Sequence, residues 1–440
     1  MTSESEPGSD LPDLTHEVLR EAVAGGANYL RVKTRLQPAD GSGGKVYPPT
    51  YAGPEGSARD EEARYHIEER RRDGEVIAAA VLDSVPSQAN RAEEALLQAS
   101  EDGLIEMPIV EADFSGSNGE GAYYDGIRPG RLTALEASHR VADATFRECK
   151  LDGEWFRESA VGRAIFSSSE RDASDMYRYC PTVLVFGAWD SMGGDASRGH
   201  KFERRVVSEI VAVDVVVGRS SSSRLDPLKI ESAAPIYKNE AHAEDASASP
   251  WTTDIDSAEK DPKGKPVLYG SGKGKGKISG LGLSNVTPSV AAGADGEFSG
   301  TGGVTFSHAE QSTVIAINAV RSLRFPRHRD AAVDARTSVV ALALAATVLR
   351  DAQGYALRSR CLLVPDGPPR VELVDAYGGA RDFAPVTPDA VAQVLRSAVD
   401  ATGAAGLSWQ AEPVVLVPSD NLRQAVRERK AVDPEEQAGP

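Results

Sequence analysis

Residues 83–99 read DSVPSQANRAEEALLQA. They follow the apolar run EVIAAAVL at 75–82, which has the length and composition of a buried strand. From Val85 the spacing changes. Val85, Ala89, Ala92, Leu96 and Ala99 recur at helical intervals and form one apolar stripe. The stretch therefore predicts a strand that feeds directly into a helix. The first turns of that helix carry Ser84, Ser87, Gln88, Asn90 and Arg91 together. Ser84 stands where an N-cap accepts a free backbone N–H. Ser84, Gln88 and Arg91 share a face by their i, i+4, i+7 spacing, with Ser87 and Asn90 beside them. A helix N-terminus carries partial positive charge and suits a phosphate. The alternative is a well-capped surface helix whose Arg91 pairs with Glu93 or Glu94.

Working outward, Leu14 to Ala24 reads as a short helix and Tyr29 to Leu36 as an alternating strand. Residues 37–63 form a Gly/Pro-rich loop. A strand is expected at LIEMPIVEADF (104–114), then a Gly-rich polar loop from Ser115 to Gly130. Helical patterns follow at 138–149, 157–168 and 171–179. Continuous apolar residues predict a buried strand at PTVLVFGAWD (181–190), and β-branched ones a strand at VVSEIVAVDVVVG (206–218). STVIAINAVRSLRF (312–325) reads as a strand and Arg336 to Asp351 as a buried helix. Two short strands come next, LRSRCLLVP (357–365) and RVELVDA (370–376). The helix PDAVAQVLRSAVDA (388–401), the strand PVVLV (413–417) and a last helix from Asn421 close the chain. Interleaved helices and strands joined by long connections predict an α+β fold with large inserted loops. The expected organisation is a tail over 1–13 and one domain over 14–432. Its body takes 27–113, 131–235 and 311–432, with an insertion at 241–306, acidic and then Gly/Lys-rich, and a tail at 433–440.

The 440 residues carry a formal charge of −17, which argues against a uniformly basic nucleic-acid binder. The acid is unevenly placed, however, and local charge decides binding. Three cysteines, Cys149, Cys180 and Cys361, are odd in number and far apart. They predict reduced thiols in a cytoplasmic protein without a disulfide framework. No secretory leader pattern is seen, and the apolar run Thr337–Leu349 is shorter than the ~20 residues that span a bilayer. The seven histidines show no metal-ligand spacing, and there is no Gly-x-Ser-x-Gly elbow. No catalytic residue, metal or cofactor is expected.

Three further basic stretches compete as phosphate contacts. GSGKGKGKISG (270–280) lacks the glycine spacing of a nucleotide-binding loop. Its Lys273, Lys275 and Lys277 suit a flexible arm along a phosphate backbone, or a solvated linker. DASRGHKFERR (195–205) offers Arg198, His200, Lys201, Arg204 and Arg205, as a grip or as a solvated turn. In GSGGKVYPP (41–49), Lys45 follows a glycine loop and Tyr47 offers a stacking face.

Taken together and in order, GGKVYPPTYAG, LDSVPSQANRAEEAL, SHRVADATFRE, LDGEWFRES, PTVLVFGAWDS, GHKFERRVVSEI and SRLDPL resemble the backbone subunit of Cascade, the type I CRISPR interference complex. The subtype resembled is the one once labelled U and now G, and the superfamily is RAMP. The resemblance is dense from Tyr29 to Leu228. It continues more loosely through AINAVRSLRFP and GYALRSRCLLVP. It implies a hand-shaped fold with an RRM-like (ferredoxin-like) palm and long insertions forming thumb and fingers. It implies copies stacked head to tail along a guide RNA, which pairs with target DNA. The other implied partners are a large subunit, a fused small-end/processing subunit and a recruited helicase-nuclease, with no membrane. Lys45, Ser84, Ser87, Gln88, Asn90, Arg91, Arg198, Lys201, Arg204, Lys273, Lys275 and Lys277 would then contact RNA. The acidic stretch at 241–266 would point away from the RNA or face a neighbouring subunit. Related subunits of type III complexes cut RNA with a loop aspartate, so a metal-dependent RNA endonuclease is one alternative. A soluble α+β protein without a nucleic-acid role is the other.

Overall fold

The computed structural model describes residues 11–51, 64–72, 74–115, 130–190, 200–219, 221–290 and 302–428. The expectations for residues 1–10, residues 52–63 of the Gly/Pro loop, the Gly-rich 116–129 segment, Arg198 and the C-terminal tail lie outside these residues. The chain forms two compact units, one of 1–216 with 305–440 and one of 217–304. It is α+β, with sheets and helices interleaved along the chain.

The first unit opens with α1 (His16–Ala24), whose Thr15 hydroxyl accepts from the Val18 N–H at 3.4 Å. β1 (Ala27–Pro38) buries Leu30, Val32, Thr34 and Leu36 on alternate positions, as a strand with one face on a core must. β2 (Ile67–Arg72) pairs with β3 (Glu75–Asp83), and β3 leads into α2 (Val85–Glu101). Further along the chain come α3 (Pro181–Phe186), β4 (Val206–Val213), β5 (His308–Ala316) and α4 (Ala332–Ala352). The hairpin of β6 (Tyr355–Arg358) and β7 (Cys361–Pro365) follows, then β8 (Arg370–Asp375), β9 (Ala380–Phe383) and α5 (Pro388–Ala404).

The main sheet runs β6-β7-β1-β5-β4-β3-β2, with β8 also on β1 and β9 on β8. All its neighbours are antiparallel. Four of its strands, β1, β4, β5 and β8, come first to fourth in the chain among themselves. In space they lie fourth, first, third, second. α2 and α4 pack together on one face. α4 buries fifteen of its 21 residues, and each fully buried leucine there contributes roughly 2 kcal/mol. Its length and composition would let it cross a membrane, yet most of it lies inside this unit. A second sheet is built from Arg131–Thr133, Val110–Asp113, Val414–Pro418, Cys149–Leu151 and Glu154–Trp155. The three cysteines are free and buried.

The strand read over 357–365 is broken at 359–360 into the β6–β7 hairpin, and four more local expectations fail for identifiable reasons. Residues 181–186 are helix α3, with a strand only at Ala188–Asp190. A fully apolar run carries no period to tell strand from buried helix. Pro181 suits a first helical turn, and all six side chains are buried. The strand expected over 104–114 shrinks to Val110–Asp113. The helix expected over 138–149 breaks into a short 3-10 turn at Arg140–Ala142 and four residues at Ala144–Arg147. Arg140 stands at φ 53° and Asp143 is extended, accepting from the Thr145 N–H. The strand over 312–325 ends at Ala316, where the chain turns into Ile317–Val320.

The second unit has its own small core at Ile236, Ala258 and Ile278. Ser221–Arg224 pairs with Val286–Val290, and Tyr237–Lys238 with Trp251–Thr252.

Candidate nucleic-acid interface

The donors at the start of α2 converge on one buried carboxylate. Asp83 is fully buried. Its Oδ1 accepts from Ser87 Oγ at 2.8 Å and Arg358 Nη2 at 3.0 Å. Its Oδ2 accepts from Gln88 Nε2 at 2.6 Å and Arg91 Nε at 3.0 Å. A buried charge is tolerable only when paired and hydrogen-bonded, and here four donors, two of them guanidinium groups, meet that need. Ser84 holds the N-cap position, but its side chain makes no capping bond. Gln88 is buried. Its Oε1 accepts from Ser208 Oγ at 3.1 Å on β4 and Gln311 Nε2 at 3.0 Å on β5. Its amide thus ties α2 to the sheet. Arg91 pairs with neither Glu93 nor Glu94. It bonds Asp83 and the Leu357 carbonyl. Asn90 is exposed, and Ser84 and Ser87 are half-buried.

The β6–β7 hairpin joins this cluster to the glycine loop. Arg358 Nη1 donates to the Leu82 carbonyl at 2.5 Å. At the hairpin turn Arg360 stands at φ 62°. Its guanidinium lies 3.6 Å over the Tyr47 ring, and Nη2 donates to the Tyr47 hydroxyl at 2.5 Å. The Tyr47 N–H donates to the Arg360 carbonyl at 3.0 Å, and the Ala39 N–H to the Leu362 carbonyl at 3.0 Å. Lys45 is exposed in this docked loop. Three separate pieces of chain, around Lys45, Arg91 and Arg360, are thereby tied together by one hairpin. Arg358 and Arg360 were not singled out in the sequence. The signal available was their separation by two residues within a strand-like run. Cys361 follows Arg360, and burial pushes its thiol up to about 11.

A second cation cluster centres on Arg140, which links α2 to the residue after α3. Glu93 is buried and takes both prongs of Arg140, at 2.6 and 2.7 Å. Desolvation raises the Glu93 carboxyl above its ordinary range, and Arg140 opposes it. Arg140 Nη1 also donates to the Gly187 carbonyl at 3.0 Å. Arg204 is half-buried, its one hydrogen bond among the described residues a long 3.4 Å contact to the Phe186 carbonyl. Desolvation first, then the nearby Arg140 charge, lowers its pKa. Lys201 lies in the strand His200–Phe202, opposite Trp189, and its side chain is outside the described residues. Arg205, one of the group read as a phosphate grip, is an interior residue instead. It is 2% exposed, paired with Glu170 at 2.5 Å, and donates to the Glu203 and Ala319 carbonyls.

In the second unit, the Gly/Lys run is a folded turn rather than a free arm. The Ile236 N–H donates to the Gly276 carbonyl at 3.1 Å and the Ile278 N–H to the Ala234 carbonyl at 2.9 Å. Gly274 and Gly280 touch so closely that a Cβ on Gly280 would lie 2.5 Å from the Gly274 carbonyl oxygen. The glycines serve that contact, leaving Lys275 and Lys277 exposed. The Lys273 side chain is outside the described residues. Among the described residues no group of three or more His, Cys, Asp or Glu is placed to hold a metal ion.

Residues 30–217 match the model of a family described as CRISPR-associated protein GSU0053. The stretch runs from β1 through α2 and α3 to just past β4. It contains Lys45, the α2 cluster, Lys201 and Arg204. No curated protein matches the chain.

Proposed function

We propose that this chain is the guide-RNA-binding backbone subunit of a type I CRISPR interference complex, of the subtype now labelled G. The observation that carries the reading is the family match over residues 30–217. Two features support it. The spatial order fourth-first-third-second of β8, β1, β5 and β4, with two helices on one face, is the order an RRM-like palm would have. The compact 217–304 unit is inserted between β4 and β5, as a thumb would be. In this reading Lys45, Ser84, Asn90, Arg91, Lys201, Arg204, Lys275 and Lys277 grip the phosphate backbone without reading bases, while Ser87, whose hydroxyl proton goes to Asp83, sets the helix start. Gln88 acts from inside, by fixing the helix to the sheet. The protein works in the cytoplasm, as a filament of copies on the guide, with the other Cascade subunits and a recruited helicase-nuclease as partners. It does no chemistry itself.

The test is single-stranded RNA affinity against salt, with duplex DNA as control. Each phosphate contact adds about −0.7 to the slope of log affinity on log salt. A steep slope with cooperative assembly is expected, reduced by about 0.7 in Lys275→Glu and again in Lys277→Glu. Weak binding without salt dependence would refute the reading. RNA cut at regular spacing with Mg²⁺ present would move it to an endonuclease.

A further inference from the structure

The Tyr47–Arg360 pair is built more firmly than loop anchoring requires. The two residues are far apart in sequence, yet they are joined three times. The Tyr47 N–H bonds the Arg360 carbonyl, the Arg360 guanidinium bonds the Tyr47 hydroxyl, and the guanidinium carbon sits 3.6 Å from the ring centre. Arg360 adopts a left-handed backbone, φ 62°, which a non-glycine residue holds at a cost. The outcome is an exposed arginine held in one place by Tyr47, although an arginine side chain is otherwise free among many rotamers. Tyr47 is packed against the guanidinium on one side. Lys45 is two residues away along the chain, and the β6–β7 hairpin continues to the donors around Asp83.

We propose that the Tyr47–Arg360 stack is a preformed platform for one nucleobase of single-stranded RNA, the base lying on the outer face of the guanidinium. This rests on the RNA-binding reading above and adds a contact of a different kind. Bases stack on arginine planes as on aromatic rings, whatever their identity. Phosphate contacts from Lys45 then fix the strand while the platform holds a base.

The test compares oligoadenylate with an abasic ribose-phosphate oligomer of equal length, on the full chain. The wild type should prefer oligoadenylate. Arg360→Ala and Arg360→Lys should each lower oligoadenylate affinity on the order of tenfold and leave the abasic oligomer nearly unchanged. The lysine variant keeps the charge and loses only the plane. Tyr47→Phe keeps the ring and should stay near wild type. Thermal melts establish that each variant is folded. An equal loss for both oligomers, or no loss for either, overturns the platform while leaving phosphate binding intact. A wild type that binds neither oligomer overturns the RNA reading as well.

Discussion

Replacing Asp83 by asparagine keeps the shape of the side chain and removes its charge. In the native cluster each carboxylate oxygen accepts one neutral donor and one guanidinium. Asparagine offers one acceptor oxygen, and its NH2 faces either Ser87 and Arg358 or Gln88 and Arg91. Two donors then confront a donor, and two guanidinium groups lose their counterion. Breaking a buried ion pair by removing one partner costs about 3–5 kcal/mol. Arg91 and Arg358 keep 30% and 27% side-chain exposure, so water recovers part of that. The expected loss is about 3 kcal/mol. At ~2 °C per kcal/mol for a unit of this size, Asp83→Asn should melt roughly 6 °C below the wild type, followed by circular dichroism. Adding Arg91→Gln should cost less than the sum of the two single changes, because both remove the same pairing. A variant melting within about 1 °C of the wild type would refute the claim that this carboxylate organises the start of α2.

Two other outcomes follow from local geometry. Gly187 ends α3 at φ 77°, and a Cβ there would lie 2.7 Å from the Phe202 carbonyl oxygen and 2.9 Å from the Arg204 nitrogen. Gly187→Ala should therefore destabilise by about 2–4 kcal/mol, read by thermal melting, and a neutral effect would mean that the 188–202 hairpin moves freely. Glu93 titrates above its ordinary range in the folded state because burial outweighs Arg140. In the window between the unfolded value, near 4.5, and the raised folded value, the folded protein binds more protons than the unfolded one. Stability from this group thus rises as pH falls through that window. The melting temperature of the wild type relative to Glu93→Gln should increase as the pH is lowered from neutrality towards 4.5, and a difference that is flat or falls would contradict the assignment.

Periodicity read the frame of the first unit well, and the reason is physical. β1 has one wet face and one dry face, so its alternation survives in the sequence. The amphipathic α2 and α5 keep their stripes for the same reason. Elements buried on all sides lose that record, which is why α3 read as a strand. The site was half legible. Clustered donors at 84–91 marked a special helix start, but their target was its own preceding residue, Asp83. A one-dimensional pattern cannot tell a donor aimed outward from one aimed at a neighbour. Gln88 illustrates the point. Spacing put it beside Ser84 and Arg91, whereas the helix turns it towards Ser208 and Gln311. Arg358 and Arg360 lie some 270 residues beyond Asp83 in the chain, and only the sheet order brings their hairpin to α2.

The face of the main sheet away from α2 and α4 bears on where an anionic strand would run. An RRM-like sheet offers this face as the obvious platform. Here it is laced with cross-strand ion pairs. Arg31 meets Glu372 at 2.6 Å, Arg70 meets Glu209 at 2.7 Å, and Arg72 meets Glu310 at 2.6 Å. Arg370 meets Asp382 at 2.9 Å. Among the described residues these arginines already have their counterions, and Tyr29 is the one large aromatic on β1, 38% exposed. A phosphate backbone laid on this face would have to displace carboxylates two or three at a time, and each displaced carboxylate would then repel it. At the β6–β7 edge the balance is reversed. Among the described residues Arg91 and Arg358 share the single carboxylate of Asp83, and Arg360 has no acidic partner, its contact being a tyrosine. Charge bookkeeping alone therefore moves the proposed RNA path off the sheet face and onto the edge formed by α2, the glycine loop and the β6–β7 hairpin.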